Sequence, residues 1–300
     1  MRPRGAVDRR PCLLVLGHVT RDEFGAESRL GGGSSFAARA AAMLGVETGL
    51  VTVAPSTSPL LAPLLGLPHL SLAVRSSERM TTFGLSYSGS HRQLTVRDVA
   101  RGLTIGDIPP AWRAAPVVYL GPVLGECRRG LVESVAGATV IVGLQGWLRQ
   151  VAESGLVEPA ITQEIADPPP GIAVAILSAA DHPEAGAIAA ALAARGIVVA
   201  LTRGAEGATL LFGNERREVA AAPARELDPT GAGDVFGVVF GLALHAGYAP
   251  VRAAERAALA AARVVEGPEM GRLGEAAYDW FKAGAADRAT VSTRARGSCR

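Results

Sequence analysis

Three hundred residues, 49% hydrophobic and 19% charged, exclude a disordered chain and allow one large α/β domain or two smaller ones. Thirty basic against 28 acidic side chains leave a formal net charge of +2, so no bulk field favours nucleic acid. Lys282 is the only lysine, which excludes a Gly-Lys-Ser/Thr phosphate loop and argues against Schiff-base chemistry.

In chain order, the arginine-bearing Met1–Pro11 precedes Cys12–Leu16, an apolar run too short for a signal-peptide core. Strands are expected at Leu13–Gly17, Thr48–Val53, Leu70–Val74, Val117–Leu120, Ala138–Val142, Ile172–Leu177 and Ile197–Leu201. Their continuous rather than alternating apolar character fits a parallel sheet buried on both faces. Helices are expected at Ser35–Leu44, Arg128–Ala136, Glu184–Ala194, Gly231–Ala246 and Pro250–Val265. This β-α succession predicts a three-layer α/β/α sandwich. Ala208–Phe212 and Arg216–Ala220 read as a hairpin. Thr81–Val96 alternates around Ser88-Gly89-Ser90 with no helix before the next strand, and reads as a second hairpin, a candidate lid. Phe83, Leu85 and Tyr87 would share one of its faces. Only eight residues, Glu23–Leu30, separate Asp22 from Gly31, enough for at most one short lid strand.

Three scattered cysteines (Cys12, Cys127, Cys299) fit a reducing compartment rather than a disulfide framework. The five histidines lack zinc-site spacing. No run reaches the roughly 18 apolar residues of a membrane span. A soluble cytoplasmic protein without membrane or nucleic-acid partners is expected.

The chemistry concentrates in Asp228-Pro229-Thr230-Gly231-Ala232-Gly233-Asp234, ahead of an apolar helix. Gly231, Ala232 and Gly233 leave backbone N–H groups unobstructed at a helix start, where the dipole adds positive charge. Such a corner binds an anion without lysine. Asp234, in the first turn, is placed to take a proton from a hydroxyl that attacks a phosphorus held there. Gly31-Gly32-Gly33-Ser34-Ser35 opens another helix with bare backbone. Asp181-His182-Pro183-Glu184 is favourable helix-start chemistry in its own right.

The string ending at Asp234 resembles the signature of the ribokinase-like (pfkB) carbohydrate kinases, and the resemblance runs from about Cys12 to Trp280. It implies the ribokinase-like fold over 12–283, with 81–96 as lid hairpin and flexible termini at 1–11 and 288–300. It implies transfer of phosphoryl from ATP, with Mg²⁺, to a hydroxyl of a small sugar or polyol. By this resemblance Asp234 is the catalytic base and Gly231, Ala232 and Gly233 the anion hole. Asp22, at the end of the first strand, binds substrate hydroxyls, with Phe83 covering the ligand. Gly31 and Gly32 match the glycine pair at the lid hinge, and Gly33 extends that bare backbone toward the substrate. Phe36 replaces an asparagine that many ribokinases direct at the sugar, which argues against ribose itself. Thr202, Gly204 and Gly207 match the nucleotide loop, and Arg149 reaches the ATP phosphates or is a surface arginine. Asp181, in place of the family's asparagine, and Glu184 order Mg²⁺-bound water. The compact lid and Phe36 suit a small polyhydroxylated acceptor of the inositol-kinase-like kind. A nucleoside or pyrimidine kinase of the same fold and a catalytically silent binding protein are the alternatives, and a homodimer is left open.

Overall fold

The computed structural model describes residues 9–88, 91–267, 270 and 273. The ends expected to be flexible, apart from 9–11, lie outside the described residues, as do 274–283. Strands β1 (Leu13–Leu16), β2 (Thr20–Phe24) and β3 (Glu27–Gly31) lead into helix α1 (Gly33–Met43). Next come β4 (Thr48–Ala54), β5 (Leu70–Ser76), β6 (Thr82–Ser88), β7 (His91–Asp98) and β8 (Val117–Leu120). The short α2 (Arg129–Glu133) precedes β9 (Thr139–Gly143), β10 (Arg149–Val151), β11 (Val157–Pro159) and α3 (Gln163–Ala166). The last third holds β12 (Ile172–Ser178), α4 (Ala185–Ala194), β13 (Val198–Thr202), β14 (Ala208–Phe212), β15 (Glu215–Val219), α5 (Ala232–His245) and α6 (Pro250–Val265).

Among the described residues nine strands form one sheet in the order β15-β14-β13-β12-β9-β8-β1-β4-β5. The run from β13 to β5 is parallel, and the β14 and β15 edge is antiparallel. Side chains alternate across it. Leu13, Val15, Tyr119 and Ile141 face a core shared with α1, α5 and α6. Leu14, Leu16, Val118 and Val142 face a second core with Trp112, Leu131 and the α4 residues Ile188 and Leu192. Both faces of the parallel strands are thus buried, which explains their unbroken apolar runs. The expected α/β/α sandwich is present, its α2 shorter than expected.

A separate four-stranded sheet, ordered β3-β2-β6-β7, stands where the lid is expected. The expectation of at most one short strand between Asp22 and Gly31 is wrong. Strand β2 begins before Asp22 and pairs antiparallel with β3 from Thr20↔Gly31 to Phe24↔Glu27. Only Gly25 and Ala26 lie in the turn, with Gly25 at φ 65°. A two-residue turn with a left-handed glycine needs no extra length, so eight residues suffice for two half-strands. The β6–β7 hairpin is confirmed, joined to β2 through a parallel pairing from Arg21↔Thr82. Phe83 and Leu85 share a small core with Val123. The side chain of Tyr87 and the turn at 89–90 lie outside the described residues.

Candidate active site

Helix α5 starts at Ala232 because Gly231 turns the chain at φ 81°, a left-handed conformation that other side chains resist. A Cβ on Gly231 would also collide with the Phe36 ring, which packs against this turn from α1. Ala232 N–H donates to the Pro229 carbonyl at 3.2 Å. By helix geometry the amides of Gly233 and Asp234 have no carbonyl one turn back, and the helix dipole sits behind them. They can hold an anion.

Two elements close on Asp234 from outside its own helix. From β8, the Tyr119 hydroxyl donates to its Oδ1 at 3.2 Å. From the start of α1, the backbone of Gly33 lies so close that a Cβ there would meet that same oxygen. Burial pushes the Asp234 carboxyl up to about 6, moderated by the Tyr119 hydrogen bond, raised again by the charge of Asp181 and lowered by Arg149. A desolvated carboxylate of this kind is ionised at neutral pH yet more basic than a surface aspartate. Gly32, at φ 88°, caps α1 and passes close to the His18 carbonyl, where no Cβ would fit.

Asp22 sits mid-way along lid strand β2, not at the end of a central strand as expected, because the chain turns into the lid at Thr20. Thr20 Oγ1 donates to its Oδ1 at 2.7 Å, and Gly31 packs bare backbone against its carboxylate. Asp181 Oδ2 accepts the Ser178 N–H at 2.7 Å while Gln145 Nε2 donates to Oδ1 at 3.3 Å. Its local turn role and its place beside Asp234 therefore coexist.

One cavity of about 730 Å³ gathers most of these groups. Asp22, Gly32, Gly33, Phe36, Phe83, Arg149, Asp181, Thr202, Gly204, Gly207 and the whole of Gly231–Asp234 line it. Glu184 does not: it is exposed at the N-cap of α4 and is not part of the cavity wall. Tyr119, which lines the cavity and touches Asp234, escaped the sequence reading. Its run Val-Val-Tyr-Leu reads as buried strand, and only its aromatic hydroxyl hinted at more.

Residues 172–272, about one third of the chain, match the family model of the pfkB family carbohydrate kinases. The chain carries a pfkB-family segment on a ribokinase fold. A pyrophosphate-dependent kinase of the ribokinase family, in a sulfate complex, superposes with a TM-score of 0.77 at 19% identity, covering 88% of this chain and 99% of that one. Its form with a pyrophosphate analogue and myo-inositol gives 0.76 at 17% identity, covering 88% and 99%. Arabidopsis thaliana ribokinase, complexed with ribose and ATP, gives 0.70 at 19% identity, covering 91% and 99%. No curated protein sequence matches the chain. This pfkB signature on this fold is that of a phosphotransferase with an alcohol acceptor.

Within this ribokinase fold the cavity has two ends. The lid end carries Asp22, Phe83 and Leu94; the far end is walled by Val219, Ala220, Ala221, Ala258 and Ala262. Among the described residues no three of His, Cys, Asp and Glu gather closely enough to cage a metal ion. Magnesium needs no such cage, since it keeps several waters and is held largely by substrate phosphates. Asp181 on the cavity wall fits an ion of that kind. Among the described residues no helix is long and apolar enough to cross a membrane.

Proposed function

We propose that this pfkB-type kinase transfers the γ-phosphoryl group of ATP to a hydroxyl of a small sugar or polyol. The observation that carries the reading is a half-buried carboxylate, Asp234, in the first turn of a helix whose free amides can hold an anion, on the wall of the cavity. The acceptor hydroxyl gives its proton to Asp234 as its oxygen attacks the terminal phosphorus. The amides of Gly233 and Asp234, with Arg149, hold the charge on the migrating group. Phosphoryl transition states are loose, so positioning and neutralisation supply most of the acceleration. Bound Mg²⁺ would neutralise the donor phosphates, with Asp181 accepting from one of its waters. On the lid, Asp22 accepts hydrogen bonds from acceptor hydroxyls, while Phe36 and Phe83 provide apolar walls. That combination favours a compact polyhydroxylated ring over a nucleoside.

Similarity to pyrophosphate-dependent kinases raises pyrophosphate as a second donor reading. The small apolar side chains at the far end favour ATP, because they form a slot for a purine that pyrophosphate would leave empty. The test offers the purified protein ATP or pyrophosphate with myo-inositol, ribose, hexoses, adenosine and cytidine, and follows acceptor phosphorylation by ³¹P NMR. We expect transfer from ATP to an inositol or sugar, with kcat/KM at least about tenfold above nucleosides, about 1.4 kcal/mol of discrimination. Transfer from pyrophosphate alone overturns the donor. A nucleoside preference overturns the acceptor class, and binding without transfer in any pairing makes the protein catalytically silent.

A further inference from the structure

We propose that Tyr119 is a positioning residue for the reaction: its hydroxyl pins Oδ1 of Asp234, so that Oδ2 is presented to the acceptor hydroxyl. The inference rests on the reading of Asp234 as base. Tyr119 lies in β8, in register with Val15 of β1 and Ile141 of β9, and is wholly buried in the core under α5. Its surroundings are apolar except at one point. Among the described residues, its hydroxyl makes a single hydrogen bond, to Asp234 Oδ1 at 3.2 Å. A phenylalanine would fill the same volume without a polar atom that must find a partner.

Two glycines make room for the phenol. A Cβ on Gly143, at the end of β9, would lie 2.8 Å from the phenolic oxygen. A Cβ on Gly237, one turn beyond Asp234 on α5, would lie 3.3 Å from the ring and 3.5 Å from the oxygen. Two separate elements, β9 and α5, thus leave a slot for this hydroxyl. The Gly33 backbone closes on the same Oδ1, while a Cβ there would stay 3.4 Å from Oδ2. One carboxylate oxygen is therefore hemmed in by protein.

The hydrogen bond also sets the strength of the base. The ionisable groups facing Asp234 are Tyr119 on β8, Arg149 on β10 and Asp181 beyond β12; α1 presents only the bare Gly33. Burial and the Asp234 charge push the Tyr119 phenol well above its ordinary range, so it remains a donor. Donation to the ionised carboxylate favours that form, opposing the larger effect of burial. Removing it must raise the proton affinity of Asp234.

The test reads Asp234 directly in the ligand-free protein, by ¹³C NMR titration of aspartate labelled at the side-chain carboxyl. The resonance is assigned by its loss in Asp234→Asn. In Tyr119→Phe the titration midpoint should move up by about one pH unit, the size expected for a hydrogen bond to a charged group. With the best acceptor from the panel, the acid limb of kcat/KM should move with it. At pH 7, kcat should fall about five- to tenfold and KM for the acceptor change less than about twofold. Site-specific 3-fluorotyrosine at position 119 keeps the side chain and strengthens the donor, so it should move the midpoint down. An unmoved midpoint in both variants overturns the proposal, whatever happens to kcat. If Asp234→Asn retains turnover, the base reading fails instead, and the two failures are told apart.

Discussion

At the scale of single residues, Asp234 concentrates the conflict between stability and activity. An unfolded aspartate releases its proton near pH 4, the folded one only near about 6. Between those values the unfolded chain holds fewer protons, so stability falls as pH rises and stays low above pH 6. Asp234→Asn removes that penalty. It should therefore abolish turnover, by at least the ~10²-fold expected of a lost general base. It should also raise the unfolding free energy at pH 7 by about 2–3 kcal/mol. The gain should vanish at pH 4 and below, where the wild-type carboxyl is already protonated. Denaturant melts of both proteins at pH 4 and pH 7 check this; a destabilised asparagine variant at pH 7 would assign Asp234 a structural role.

At the scale of elements, the root of the lid is a polar junction. His18, buried between β1 and β2, reaches both stems of the β6–β7 hairpin. Its Nδ1 lies 2.8 Å from Thr81 Oγ1 and its Nε2 2.9 Å from the Arg101 carbonyl. A carbonyl only accepts, so Nε2 carries the proton donated to Arg101, while Thr81 Oγ1 also accepts the Ala100 N–H at 3.1 Å. The Arg101 guanidinium in turn grips both oxygens of Asp107, at 2.9 and 2.7 Å. Asp107 also accepts from the Thr104 amide and hydroxyl. The Arg101 hydrogen bond leads these effects in bringing the Asp107 carboxyl down to about 2 against the cost of burial. A lowered acid stabilises the fold above its unfolded pKa, and that contribution drains away as pH falls from about 4 toward 2. Asp107→Asn should cost roughly 2 kcal/mol at pH 7, with the gap to wild type narrowing below pH 4. A gap unchanged with pH would mean that the charge contributes nothing.

For the molecule as a whole, the cores predict an order of opening. The central strands share two large cores, whereas β6 and β7 rest on a small cluster around Phe83, Leu85 and Val123. Few buried contacts mean a low local opening free energy. Amides of β6 and β7 should exchange with deuterium well before those of β8 and β9, and acceptor binding should slow the former most. Equal protection of both regions would contradict a lid that opens independently. One tie qualifies that independence: Val96 N–H donates to the Gly155 carbonyl at 2.8 Å, linking β7 to the β10–β11 hairpin that begins at Arg149. That hydrogen bond ties the β6–β7 hairpin to the hairpin that carries Arg149.

What the sequence by itself determined is whatever short-range chemistry dictates. The loop from Asp228 to Asp234 is a local device, in which glycines, a helix start and a first-turn acid stand next to one another in the chain. The parallel sheet was legible for a similar reason, since strands buried on both faces must be apolar throughout. Tertiary structure alone decided the rest. Tyr119 looked like core because which strand neighbour it meets depends on register and on glycines 24 and 118 residues away, at Gly143 and Gly237. The second pair of lid strands was missed because a two-residue turn leaves almost no trace in length. Asp181 and Glu184, three residues apart, looked like partners, yet the cavity takes the first and leaves the second in solvent. Spacing along a chain fixes what neighbouring residues can do together, but only packing decides which distant groups share one desolvated space.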